Sequence, residues 1–187
     1  MAKVVNEQML LEANGKKLGG NSDYWIYLTN LKAYNEGILV GVYLHFPFTR
    51  NELNEAFKMI YVDSDFVDEH GESYEEYFIT DYDAPFDIDE YEYVPSLIDK
   101  FKEIEPYIDY SKEIIRVIAD HSCSEFTMYE LFEGSTNEEK LGYVLYYEGI
   151  FIIPEHLRSY VDYEAIGRDY AINANGEFVD NYYIEFH

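Results

Sequence analysis

The chain has 187 residues, 38 of them Asp or Glu and only 13 Lys or Arg, for a formal net charge of −25. That excess argues against a nucleic acid or an anionic membrane surface as partner, because no strongly basic face is visible to offset the repulsion. With 48% hydrophobic and 18% aromatic residues, 21 Tyr and 12 Phe among them, the chain can nevertheless bury enough apolar surface to fold.

Residues 1–22 stand apart. Val4, Val5, Met9 and Leu10 suit a short amphipathic helix, and Asn14-Gly15-Lys16-Lys17-Leu18-Gly19-Gly20-Asn21 reads as a flexible connector. Asn6, Glu7 and Gln8 interrupt the place where a signal peptide would be apolar. The longest apolar-looking stretch, residues 37–48, is well short of the ~20 residues of a membrane span. A cytoplasmic location is expected. Trp25 to Leu31 and Ile38 to Phe46 are β-branched and aromatic runs joined by a turn-rich connector, which predicts an antiparallel pair. Thr49-Arg50-Asn51-Glu52 has the spacing of a capping box and opens a helix reaching about Tyr61. A third strand is expected from Glu76 to Tyr82.

The middle reads as helical. Pro95 leads Leu97, Ile98, Phe101 and Ile104, and Pro106 opens a second helix with Ile108, Ile114, Ile115 and Ile118. Ser122-Cys123-Ser124-Glu125 and Ser135-Thr136-Asn137-Glu138 are two further capping-box patterns followed by helix-period apolar residues. Pro154 to Arg158 starts a short helix, Asp162 to Gly167 continues helically, and Asn175-Gly176 is expected to turn a hairpin between Tyr170-Ala171-Ile172 and Phe178 to Phe186. The fold class expected is α+β, elongated, in three small units: a small antiparallel sheet plus helix over residues 23–90, a helical bundle over 91–133, and a mixed helix and β-hairpin unit over 134–187.

The charge is spread over all three units, whereas residues 1–22 carry +1. Between Lys58 and Lys100 lie 41 residues without a cation, and 14 of them are acidic. Acids two apart on a strand or one turn apart on a helix lie roughly 6–7 Å from each other, a spacing comparable to neighbouring backbone phosphates. Duplex DNA carries about one charge per 1.7 Å, so the charge of residues 23–187 corresponds to roughly 44 Å of duplex. Solvation, or adaptation to high salt, is the alternative reading of the same charge, although it does not require so many aromatics.

Patterns of catalysis and metal binding are lacking. An EF-hand loop starting at Asp63 fails, with Val67 at position five, Asp68 in place of the glycine and Tyr74 at position twelve. His45, His70, His121, His156 and His187 occur singly, without metal-ligand spacing. His121 next to Ser122 and Cys123 reads as a helix end, and the lone Cys123 can form neither an internal disulfide nor a multi-thiolate site. Neither a Gly-x-Ser-x-Gly elbow nor a phosphate-cradling glycine loop is present. No active site, metal or cofactor is expected.

Three stretches carry more than composition. Ile26-Tyr27-Leu28-Thr29-Asn30-Leu31 with Tyr34-Asn35-Glu36-Gly37-Ile38-Leu39-Val40-Gly41, then Glu75-Glu76-Tyr77-Phe78-Ile79-Thr80-Asp81-Tyr82-Asp83-Ala84-Pro85-Phe86, and Tyr160-Val161-Asp162-Tyr163-Glu164-Ala165-Ile166-Gly167-Arg168-Asp169 resemble, in this order, segments of the antirestriction protein ArdA family. The resemblance implies a non-enzymatic DNA mimic of mobile elements or phage. Such a protein would be usually dimeric, with dimerisation expected in the C-terminal unit, and would block the DNA-binding groove of type I restriction-modification enzymes.

From the residues themselves, the partner-binding carboxylates are expected to be Asp63, Asp65, Asp68, Glu69, Glu72, Glu75, Glu76, Asp81, Asp83, Asp87, Asp89, Glu90 and Glu92. The resemblance assigns Tyr160, Asp162, Tyr163, Arg168 and Asp169 to assembly or antirestriction, with Arg168 and Asp169 alternatively anchoring the turn into the terminal hairpin. The alternative function is an acidic module for another basic partner: a CRISPR effector, a histone-like protein or a regulator.

Overall fold

The computed structural model describes residues 2–121 and 125–187. It is a mixed α+β structure with three separate small sheets, and it divides into two compact units, one up to Asp109 and one from Tyr110. Residues 91–133, expected as a helical middle, fall on both sides of this division.

The first unit is built on a four-stranded sheet. In chain order it contains β1 (Lys3–Val4), α1 (Glu7–Ala13), β2 (Lys16–Gly19), β3 (Trp25–Asn30), α2 (Leu31–Asn35), β4 (Gly41–His45), α3 (Arg50–Met59), β5 (Asp63–Val67), β6 (Ser73–Tyr74), β7 (Tyr77–Asp83) and α4 (Val94–Ile104). The sheet order is β2-β4-β3-β7, and β1-β5-β6 form a small second sheet. Alternation decides the faces. Ile26 and Leu28 of β3 and Val42 and Leu44 of β4 are fully buried, as are Leu53, Ala56 and Ile60 of the α3 region. The expected capping box holds: Thr49 Oγ1 accepts from Glu52 N and Glu52 Oε2 from Thr49 N. Pro95 lies in the first turn of α4, and Phe101 of that helix stacks on Phe46 at 4.8 Å.

Several residues of the first resembling segment have plain structural work. Buried Asn30 caps α2 by accepting from Ala33 N at 2.9 Å, and its amide donates to the Ile60 carbonyl at 2.9 Å. Gly41 lets the ring of Tyr27 come close, since a Cβ there would lie 2.4 Å from Tyr27 Cε1.

The expected flexible connector is a strand. Lys16–Gly19 runs parallel to β4, with Lys16 opposite Val42 and Gly19 opposite His45. Asn14 Oδ1 accepts from the Tyr27 hydroxyl at 2.5 Å and from Gly41 N at 3.1 Å. The two glycines that read as a linker are there for proximity: a Cβ at Gly19 would stand 2.2 Å from the His45 carbonyl oxygen. Lys16 and Lys17, exposed along this outer strand, suit an unpaired sheet edge.

The second unit contains α5 (Lys112–Asp120), β8 (Phe126–Glu130), α6 (Asn137–Tyr147), α7 (Tyr163–Asn173), β9 (Gly176–Val179) and β10 (Tyr182–Phe186), with a short 3-10 turn over Glu155–Tyr160. Its antiparallel sheet has the order β8-β10-β9. Leu131, Leu141, Val144, Leu145 and Tyr183 form the core between sheet and helices.

Four local expectations change. Pro106 opens only a 3-10 turn, Glu105–Tyr107, and the helix waits for the Ser111 cap. The pattern at residues 122–125 lies largely outside the described residues, Cys123 included. The helix expected after it is strand β8: Phe126, Thr127, Met128 and Tyr129 pair with β10, and the β-favouring run outweighs the helical reading. The capping box at residues 135–138 is displaced by one, with Thr136 accepting from Glu139 N at 3.1 Å and Glu139 accepting from Ser135 N at 2.7 Å.

The fourth change concerns the hairpin. It turns at Asp180-Asn181, not at Asn175-Gly176, and Tyr170 to Asn173 end α7. Asp180 supplies the left-handed residue with φ of 49°, a conformation Asp tolerates. Gly176 instead admits close approach of β10, since a Cβ there would lie 2.6 Å from the Ile184 carbonyl oxygen.

Candidate interaction surface

The first unit holds 23 acidic and 8 basic residues, the second 15 and 5. Of the carboxylates expected to meet a partner, Asp63, Asp65, Glu69, Glu72, Glu75, Glu76, Asp81, Asp87, Asp89 and Glu90 are exposed, while Asp68, Asp83 and Glu92 are half-buried. Asp63 and Asp65 share strand β5, and Asp81 and Asp83 lie two apart on β7 opposite Tyr27 and Trp25. Asp89 is fixed in its loop by accepting from Tyr91 N at 2.8 Å, and the Glu90 carbonyl takes the Ile79 N–H at 2.8 Å. All of these belong to one unit.

Asp68 and Glu72 are different. Lys32 Nζ lies 2.7 Å from Asp68 Oδ2 and 3.2 Å from Glu72 Oε2, so one of the two negative charges of this corner is offset. Asp68 also accepts from His70 N and Glu72 N, closing the turn between β5 and β6. In the sequence Asp68 is one acid among many. Its hub, Lys32, gives no sign there, because a sequence separation of 36 positions hides the contact. Glu92 is likewise paired, with Lys100 at 3.3 Å.

The hydrogen bond from Lys32 is the main reason that the Asp68 carboxyl is held down from 3.8 to about 2. A lowered carboxyl pKa stabilises the folded state above the unfolded pKa, and the contribution is lost as pH falls from ~4 through about 2. Asp68→Asn should therefore be less stable than the parent at pH 5, with the difference shrinking toward pH 2. Urea unfolding at pH 5, 3.5 and 2 measures this, and a pH-independent difference would contradict it.

The second set of residues gathers around α7. Asp162 caps the helix by accepting from Ala165 N at 2.9 Å. Tyr163 is buried and stacks on Tyr143 at 4.1 Å, whereas Tyr160 is 84% exposed. Arg168 and Asp169 are exposed within α7, and the Asp169 carbonyl accepts from Asn173 Nδ2 at 2.6 Å at the end of that helix. Arg158 lies over the Tyr146 ring at 4.9 Å. Gly167 and Gly142 bring the α7 and α6 backbones together, a role the sequence did not disclose. Close by, the Tyr170 hydroxyl donates to Glu185 at 2.7 Å, and burial together with that carboxylate pushes the phenol pKa upward.

Among the described residues no group of three or more His, Cys, Asp or Glu side chains could hold a metal ion. No helix among them is long and apolar enough to cross a membrane.

These observations define a small, strongly acidic α+β protein whose carboxylates point mostly outward. The family model of the antirestriction protein ArdA matches residues 26–185, and the chain belongs to that family. A search of curated proteins returns no match. Family membership supports an antirestriction function, exerted by an inhibitor protein, and implies interaction with restriction enzymes.

Proposed function

We propose that the protein is a DNA mimic that occupies the DNA-binding groove of a type I restriction-modification enzyme in the host cytoplasm. The observation that carries this reading is the outward display of carboxylates: 38 acidic residues against 13 basic, with ten of the thirteen acids marked between 63 and 92 exposed. Lys and Arg side chains that hold phosphates in such a groove are equally suited to carboxylates. The inhibitor needs no chemistry of its own, only competition with DNA.

The experiment is protection of an unmodified plasmid or phage in a strain with a defined type I system. Expression of the protein should restore plating by orders of magnitude. Unchanged restriction at full expression would contradict the proposal.

The reading includes a homodimer formed through the second unit. Between α6 and α7 this unit exposes Ile150, Ile152, Leu157 and Tyr160, with Ile152 93% accessible, which is more apolar surface than a solvated connection needs. Ile152→Asp with Tyr160→Asp should convert a dimer into a monomer in light scattering and leave the circular dichroism spectrum intact. A parent chain that is already monomeric at micromolar concentration would contradict the dimer.

A further inference from the structure

One face of the four-stranded sheet is covered by α3; the other carries a groove that the display of carboxylates does not explain. Lys17, Tyr43, Tyr27 and Asp81 follow one another across β2, β4, β3 and β7 in a single register row. Beside this row lies a cavity of about 820 Å³, walled by Tyr27, Tyr34, Tyr43 and Phe78 and edged by Asp81 and Glu90. The aromatic rings are fixed by one another. Tyr27 and Tyr43 meet edge to face at 4.6 Å, as do Tyr34 and Phe78 at 5.0 Å. Tyr34 is half exposed, as is Leu39 on the same wall.

Asp81 and Glu90 are exposed, and neither is ion-paired among the described residues. The face already accepts a cation at its edge, where Lys17 Nζ lies 5.9 Å from the centre of the Tyr43 ring. Aromatic faces flanked by free carboxylates attract cations twice over, through the ring quadrupole and through ion pairing. The wall is aromatic and partly buried, with Tyr27 and Phe78 each under 10% exposed. That favours a guanidinium, which is weakly hydrated and stacks on aromatic rings, over a compact, strongly hydrated ammonium. The groove is open to solvent, so a side chain presented on the surface of a protein partner can enter it.

We propose that this groove receives an arginine side chain presented by a protein partner, its guanidinium stacked on the tyrosine wall and tethered by Asp81 and Glu90. The identity of that partner as a restriction enzyme rests on the function proposed above; the site itself does not.

The test is an NMR titration of the full-length protein with acetyl-Gly-Arg-Gly-amide and with the same peptide carrying citrulline, which keeps the shape and removes the charge. The arginine peptide should give saturable shifts concentrated at the amides of Asn14, Gly15, Leu39, Thr80 and Asp81, with the citrulline peptide about tenfold weaker. The Asp81→Asn/Glu90→Gln variant, and separately Tyr34→Ala, should weaken binding about fivefold or more. The Glu7→Gln/Glu55→Gln variant, of equal net charge and with neither side chain lining the groove, should bind as the parent does. Absence of saturable shifts, equal binding of both peptides, or shifts scattered over carboxylates and insensitive to which pair is neutralised would overturn the proposal. No restriction enzyme enters the titration, so its failure leaves the antirestriction reading standing, while failed protection in cells leaves the groove standing.

Discussion

Gly167→Ala should destabilise the second unit by about 3 kcal/mol, although it adds only a methyl group to a helix and improves helix propensity. A Cβ at this position would lie 1.8 Å from the Glu138 carbonyl oxygen and 2.8 Å from Gly142 N. The same crossing is tight from the other side, where a Cβ at Gly142 would stand 1.9 Å from the Tyr163 carbonyl oxygen. These obstacles are backbone atoms and cannot rotate away, so α6 and α7 must separate. Separation loosens the packing around Leu141, Val144 and Leu145, which are all buried beneath the crossing. The adjacent exposed residues behave differently: Arg168→Ala and Asp169→Asn should each stay within about 0.5 kcal/mol of the parent. Urea unfolding followed by circular dichroism separates the cases. A Gly167→Ala protein as stable as its parent would contradict this account of the crossing.

Neutralising six carboxylates of the first unit outside the groove, by Asp63→Asn, Asp65→Asn, Glu69→Gln, Glu75→Gln, Glu76→Gln and Asp89→Asn, should weaken inhibition of the restriction enzyme roughly 150-fold. Exposed pairs contribute on the order of 0.5 kcal/mol each, so six amount to about 3 kcal/mol, and each single change only about twofold. All six side chains are exposed, and the Asp89→Asn change keeps a side-chain oxygen for the Tyr91 N–H, so the fold should persist. Removing mutual repulsion should leave stability equal or slightly raised. The parent's inhibition should also fall as salt rises, and the six-fold variant's should fall less steeply. The check is an inhibition titration of DNA cleavage at two ionic strengths. An undiminished six-fold variant would exclude these carboxylates as the contact surface.

Much of the first unit was legible in the sequence because local signals and tertiary packing agree there. Trp25 to Leu31 and Ile38 to Phe46 are β-favouring runs that contain the paired strands β3 and β4, and Thr49 to Glu52 meets its own cap without help from afar. Signals failed where a glycine's reason is distant. Gly19, Gly20 and Gly176 look like turn residues, yet each marks a place where another strand or loop backbone comes within van der Waals distance. Gly167 similarly gives no local sign of Gly142, 25 residues earlier. For the surface, sequence could count acids but not distinguish Asp68, held by Lys32, from exposed Asp65. The aromatic groove was equally hidden, because register between strands, not composition, gathers Tyr27, Tyr43 and Asp81.

The claim that carboxylates replace phosphates is tested most directly by competition on the target itself. A fluorescent duplex carrying the recognition sequence is bound to a purified type I methyltransferase core, and the protein is titrated in at several duplex concentrations. Mimicry predicts full displacement of the duplex, with a midpoint that rises in proportion to duplex concentration. A midpoint independent of duplex concentration, or a stable complex holding enzyme, duplex and this protein together, would contradict it.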